Sequence, residues 1–287
     1  MNYDEAYARY LTRVEEALAR RCRECASPEP LRSAMEYSLM AGGKRIRPVM
    51  LLAACEAFGG KIETALPFAC ALEMIHTYSL IHDDMPEMDD DDLRRGKPTN
   101  HKVYGQGMAL LAGDGLLSWA FETMLAGADA GENSLNAMRA LARAAGVNGM
   151  VSGQCRDLEQ KPENGEPELY RLCAEKTGAL LSGAAEAGAA LAGADEKTRL
   201  RMREYGAALG VSFQIQDDLL DIEGDAKLLG KATHMDEQRG KMTYPHLLGV
   251  DRAKRVMEET TARALELLGN DAPFLTELTK RLLTRDR

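Results

Sequence analysis

Helical periodicity runs along almost the whole of this 287-residue chain, punctuated by Gly and Pro and never giving way to sustained two-residue alternation. Propensity agrees with it: Ala, Leu, Met and Glu are plentiful, β-branched residues are few, and aromatics make up only 5%. Apolar stripes of this kind are buried helix against helix. The expected fold is therefore all-α, one large helical bundle spanning 1–287, with any site in the core between facing helices. Helices are expected at about residues 3–25, 29–40, 64–92, 105–128, 134–160, 167–192, 195–223 and 244–269. Another opens at Pro48 and stops at Gly59-Gly60, and a last one closes the chain. Residues 224–242 read as a loop with helical turns.

Two dense acidic stretches are set into this background. Gln214, Asp217, Asp218 and Asp221 fall at i, i+3, i+4 and i+7, one stripe of a helix, and Phe213, Ile215, Leu219 and Leu220 around them are apolar. Three carboxylates on a buried helix are very costly unless compensated, and sharing a cation is the least costly remedy. The other stretch, Asp83 to Asp92, places seven carboxylates at the C-terminal end of its predicted helix, the end whose dipole repels them. A cation partner is again implied. Ligands made only of oxygen point to Mg2+, Mn2+ or Ca2+ and away from zinc, and the EF-hand spacing is absent. On an ideal helix Asp83 aligns with Glu87 and Asp90 while Asp89 points elsewhere. Pro86 interrupts the ladder, so spacing alone does not select among them. His76, seven residues before Asp83, faces the same way.

Cations accompany these acids. Arg94, Arg95 and Lys97 follow the first cluster, where they could pair internally or clamp an anion, since guanidinium forks match phosphate oxygens. Gly42-Gly43-Lys44-Arg45-Ile46-Arg47-Pro48 sets three cations in a glycine turn before a helix N-terminus, a combination that suits phosphate. Lys176-Thr177-Gly178 interrupts a helix, and Lys231 follows Gly230 in the later loop. Acidic clusters facing one another would hold divalent ions, and those ions a polyphosphate. The chain thus reads as an enzyme acting on a diphosphate.

The net charge of −9 argues against non-specific nucleic-acid binding, though not against an anionic substrate held through metal ions. No run of about 18 apolar residues occurs, so no membrane-spanning helix is expected. Met1-Asn2-Tyr3-Asp4-Glu5 lacks the order of a signal peptide. Six scattered cysteines sit mostly in apolar helical contexts, and Cys22-Arg23-Glu24-Cys25 has neither a second pair nor a βαβ setting. These features fit a reducing cytoplasm.

Taken together, the motifs resemble the trans-isoprenyl diphosphate synthases, most of all the bacterial farnesyl diphosphate synthases. The resemblance runs from about Leu39 to Leu248. It rests on the GGKRxRP turn, DDxxxxD from Asp83 to Asp89 with its LRRGKPT continuation, Lys176-Thr177, FQxQDDxLD, and Gly240-Lys241-Met242-Thr243-Tyr244-Pro245. It implies a bundle of the isoprenoid synthase type and head-to-tail, Mg2+-dependent prenyl transfer, with three ions per site and Mn2+ as a substitute. Asp83 and Asp89 would ligate two ions and Asp217 the third, with Asp84, Asp218 and Asp221 in support. Lys44, Arg47, His76 and Arg95 would hold isopentenyl diphosphate. Arg94, Lys176 and Lys231 would clamp the allylic diphosphate, and Thr177 and Gln214 would set oxygens near the developing cation. Tyr78 and Ser79, five and four residues before Asp83, occupy the position where an aromatic goes with a C15 product in the family. Geranyl or geranylgeranyl diphosphate is the alternative product, and a homodimer is expected by the same resemblance.

Rival readings fit less well. A class I terpene cyclase usually mixes Asn, Ser or Thr with Glu in its second motif and needs no second diphosphate pocket. An HD-type phosphohydrolase, suggested by His82-Asp83, needs a further upstream His, and none precedes His76. A non-catalytic acidic protein would not require the Lys44/Arg47 and Arg94/Arg95 pairs.

Overall fold

The computed structural model describes residues 2–129, 131–159, 165–223 and 242–283; Lys231, Gly240 and Lys241 lie outside them. The elements are α1 (Tyr3–Glu24), α2 (Leu31–Leu39), α3 (Ile46–Ala57), α4 (Ile62–Asp83), β1 (Leu93–Arg94), β2 (Lys97–Pro98), α5 (Asn100–Tyr104), α6 (Gln106–Gly127), α7 (Glu132–Ala145), α8 (Met150–Leu158), α9 (Gly165–Cys173), a π-helical turn (Ala174–Gly178), α10 (Ala179–Leu191), α11 (Glu196–Glu223), α12 (Tyr244–Leu248), α13 (Val250–Leu268) and α14 (Pro273–Leu283). The all-α expectation holds, with one two-residue antiparallel ribbon as the only strand pairing among the described residues.

Local chemistry sets the ends of these helices. In α1 the Asn2 side chain accepts from the Glu5 amide (2.9 Å), and the Glu5 carboxylate accepts from the Asn2 amide (3.1 Å). This reciprocal box satisfies two donors that a helix start leaves unpaired. Every residue of α10 is buried; its side chains are Ala, Gly and Leu except for Ser182, bonded to the Arg203 carbonyl, and Glu186, paired with Arg143, which makes it the central helix. Around it pack α3, α7 and α11, while α4 lies against α3 and α6. A smaller apolar cluster joins α9, α11, α12 and α13 through Leu172, Ile215, Leu219, Tyr244 and Val256.

The helix expected over about 64–92 ends at Asp83. Beyond it the amides of Asp89, Asp90 and Asp91 fold back onto the carbonyls of Asp83, Met85 and Asp84 (2.9, 3.1 and 3.2 Å). Pro86 has no N–H to continue the helical ladder, and the chain reverses there instead. The ribbon β1–β2 follows, turning at Arg95 and Gly96 with φ of 54° and 73°. The helix expected over 134–160 is two helices, α7 and α8, and the one expected over 244–269 is broken at Gly249 into α12 and α13. α3 starts at Ile46, before Pro48, with Arg45 as its N-cap. The six cysteines are all free thiols, and Cys22 and Cys70 are buried. No helix among the described residues is long and apolar enough to cross a membrane.

Candidate active site

A cavity of about 420 Å³ is lined by residues of α3, α4, α8 and the π turn, among them Arg47, His76, Tyr78, Ser79, Asp83, Met150, Lys176 and Thr177. Its walls combine cations and a carboxylate with the apolar side chains of Leu80, Met88, Val151, Leu158 and Leu180. This suits a ligand with an anionic head and a hydrocarbon tail.

The reversal after α4 decides which carboxylates meet. The Asp89 amide bonds to the Asp83 carbonyl at 2.9 Å, while Glu87 and Asp90 stay exposed. Burial pushes the Asp83 carboxyl up to about 6; Asp89 and Asp157 act in the same direction, against Lys176 and Arg94. Burial therefore outweighs the positive charge nearby. Asp84 is buried and turned to Arg94, whose Nε lies 2.9 Å from Asp84 Oδ1. Arg94 is thus held within the first cluster, and Asp91 is a second partner at 3.5 Å.

On the opposite wall the helical ladder loosens. The π turn at Ala174–Gly178 presents Lys176 and Thr177 to the cavity, a use of π geometry common at functional sites. It fits only because a Cβ on Gly153 of α8 or Gly210 of α11 would overlap its backbone. Lys176 Nζ bonds Asp157 Oδ2 at 2.5 Å. Thr177 Oγ1 donates to Gln214 Oε1 (2.8 Å), and Gln214 Nε2 donates to Asp218 Oδ1 (2.9 Å). Asp218 also accepts from the Tyr244 amide at 3.4 Å, so part of its burial is compensated by hydrogen bonds. Asp221 is buried too, while Asp217 is only partly so, and its carboxylate acts on Arg47.

The Gly42–Pro48 turn brings the third group of charges. Arg47 Nη1 lies 3.4 Å from His76 Nε2, and Arg47 Nε is out of reach of solvent with no hydrogen-bond partner. Arg95 donates to the Gly42 carbonyl, and a Cβ on Gly43 would strike its guanidinium. Burial, then Arg47, Arg95, Arg45 and Arg94, hold the His76 imidazole well below its usual range, so it is neutral and its Nε2 accepts from Arg47. Lys44 is exposed, and its carbonyl accepts from the Tyr7 hydroxyl. A buried donor without a partner among several guanidiniums suits an anionic ligand.

Among the described residues, no three His, Cys, Asp or Glu side chains form a ready-made metal cage. That is compatible with Mg2+, which is usually held by one or two carboxylates together with waters and substrate phosphates. Asp83 beside Asp89 fits this pattern. Single-sequence reading missed Asp157, an isolated acid in no motif, and Gln154, which also lines the cavity. It also grouped Arg45 with the facing cations, although Arg45 is fully enclosed.

Residues 28–277 match the polyprenyl synthetase family. The chain is 45% identical over 280 residues to farnesyl diphosphate synthase of Geobacillus stearothermophilus, covering 95% of this chain and 94% of that one. It is 47% identical over 253 residues to geranylgeranyl pyrophosphate synthase 11 of Arabidopsis thaliana, covering 85% and 71%. Among solved structures it resembles an FPP/GFPP synthase from Zymomonas mobilis (TM-score 0.84, 34% identity, 99% and 100% covered). It also resembles geranylgeranyl pyrophosphate synthetase from Pyrococcus horikoshii (TM-score 0.87, 31% identity, 99% of each covered). With this fold, this cavity and these relatives, the chain belongs to the polyprenyl synthetase family and is a trans-prenyltransferase.

Proposed function

We propose that the protein condenses isopentenyl diphosphate with dimethylallyl and then geranyl diphosphate, releasing diphosphate and making farnesyl diphosphate. The observation that carries this reading is that two cations held in different ways, Arg47 against the neutral His76 and Lys176 against the Asp157 carboxylate, border one cavity that also has apolar walls. Each suits a diphosphate, and the walls suit the growing chain. In this reading Lys44, Arg47, His76 and Arg95 bind isopentenyl diphosphate. Arg94, Lys176 and Lys231 grip the allylic diphosphate. Asp83 and Asp89 on one side and Asp217 on the other, supported by Asp84, Asp218 and Asp221, are the residues that would hold Mg2+. When bound, Mg2+ supplies neutralisation of the departing diphosphate.

The chain's own groups do the rest. Lys176 adds positive charge where the leaving group gathers negative charge. Thr177 and Gln214, bonded to each other, hold oxygen dipoles toward the carbon that becomes cationic. The double bond of isopentenyl diphosphate attacks that carbon, and the released diphosphate takes the proton, so no protein base is required. The apolar walls exclude water that would quench the cation.

Tyr78 supports a C15 product over the C20 product named for several relatives. It is 7% exposed, lines the cavity, and meets His82 edge to face at 5.7 Å. Ser79 lines the cavity beside it, its hydroxyl bonded to the His76 carbonyl at 2.9 Å. Incubation with Mg2+, isopentenyl diphosphate and dimethylallyl diphosphate, followed by sizing of the products, tests the proposal. The wild type should stop at C15 and Tyr78→Ala should run to C20 or longer; an unchanged C15 product from the variant removes Tyr78 as the floor.

The proposal extends to a single prenyltransferase domain over 1–287, working in the cytoplasm as a homodimer. An apolar strip on α6, with Leu110 47%, Leu111 52% and Leu125 66% exposed, supports the dimer. Leu125→Asp should then shift the protein toward monomer in sedimentation.

A further inference from the structure

Three cations share the Gly42–Pro48 turn, but they are not equivalent. Arg47 lines the cavity and Lys44 is exposed, whereas the Arg45 side chain is fully enclosed. All three guanidinium nitrogens of Arg45 are engaged by different parts of the fold. Nε donates to Glu15 of α1 at 2.6 Å, Nη1 to Glu73 of α4 at 2.6 Å, and Nη2 to the Leu39 carbonyl at the end of α2 at 2.7 Å. Glu73 is itself 1% exposed and lies three residues before His76 on α4.

The backbone of Arg45 is left-handed, with φ of 49°. Residues bearing a Cβ avoid this region and keep it only where their surroundings over-determine it. Here the side chain supplies that determination. The left-handed residue is the N-cap of α3, so it sets the direction in which Arg47 enters the first helical turn. From the other side, the Tyr7 hydroxyl pins the Lys44 carbonyl.

We propose that Arg45 is a positioning residue: the Glu15–Arg45–Glu73 ion triad holds the turn in its left-handed form and thereby sets Lys44 and Arg47 for the acceptor diphosphate, which Arg45 itself never touches. The inference rests on the reading of Lys44 and Arg47 as the isopentenyl diphosphate site. A misplaced binding group is costly even when it is intact, whereas a buried ion pair can often be replaced by apolar side chains without loss of stability.

The test is steady-state kinetics of the full chain with Mg2+, varying each substrate in turn, alongside thermal melting. Arg45→Met combined with Glu73→Met removes the two enclosed charges together and leaves only the partly exposed Glu15. The expected result is a KM for isopentenyl diphosphate raised about 10- to 100-fold, with kcat and the allylic KM within about twofold of wild type and an unchanged melting temperature. Should the double variant fail to fold, Glu15→Gln, which loosens one arm at a partly exposed carboxylate, should still raise that KM alone, by about threefold. A folded variant with the wild-type KM for isopentenyl diphosphate, or with both KM values raised together, overturns the proposal. Arg47→Gln separates the two layers. If it leaves the isopentenyl diphosphate KM untouched, the acceptor-site reading fails. If it raises that KM while the Arg45 and Glu15 variants do not, only the positioning role fails.

Discussion

The two acidic clusters present the same side chains by opposite backbone means. Asp217, Asp218 and Asp221 sit on a continuous helix, and Asp218 is tied into neighbours through Gln214 and the Tyr244 amide. Asp83 and Asp89 meet because the helix stops and the chain reverses, and burial raises the pKa of the Asp83 carboxyl. One cluster is partly a structural network, joined through Gln214 to Thr177 of the cavity wall. The other carries a desolvated carboxyl whose pKa burial has raised. The difference suggests that function and stability are coupled with opposite signs in the two.

The largest expected effect breaks the first cluster. Asp83→Asn should lower kcat/KM by about 10²- to 10³-fold, as loss of a group that organises charge at a reacting centre does. Measured with saturating Mg2+, a loss below tenfold would remove Asp83 from the metal-holding set.

The same variant sharpens the comparison through stability. The Asp83 pKa is raised from 3.8 to about 6 in the folded protein, so its contribution is most favourable below pH 3.8 and is lost as pH rises through 6. By linkage the metal-free wild type carries a penalty of about 3 kcal/mol at pH 7. Asp83→Asn should therefore be the more stable protein at pH 7, and the two should unfold alike near pH 4. Denaturant unfolding at both pH values checks this.

Asp218 should behave in the opposite sense. Asp218→Ala leaves the Gln214 amide and the Tyr244 N–H without their partner, at a cost of about 1–3 kcal/mol in unfolding free energy. A stability equal to wild type would show that the second cluster is no more structural than the first.

The smallest expected effect concerns His76. Its folded-state pKa lies well below 6.5, so as pH falls below 6.5 the unfolded chain takes up a proton that the folded chain refuses, and stability declines. His76→Gln should flatten that acid slope. Inorganic pyrophosphate should raise the His76 pKa in an NMR titration, because an anion between Arg47 and Arg95 favours the imidazolium. A pKa unmoved by pyrophosphate would place the anion elsewhere.

What the sequence determined alone was whatever depends on short-range periodicity. The helical class, the Asp217-Asp218-Asp221 stripe and the clustering of cations in the Gly42–Pro48 turn are consequences of spacing within a few residues. Tertiary structure decided the remainder. Asp89 rather than Glu87 or Asp90 joins Asp83 because Pro86 ends the helix and the backbone closes on itself. Lys176 finds Asp157, and Arg45 turns inward to Glu15 and Glu73, through contacts between residues 19, 30 and 28 positions apart. No local pattern encodes such pairings, since the energy of a buried charge depends on which partners the packed fold brings within reach.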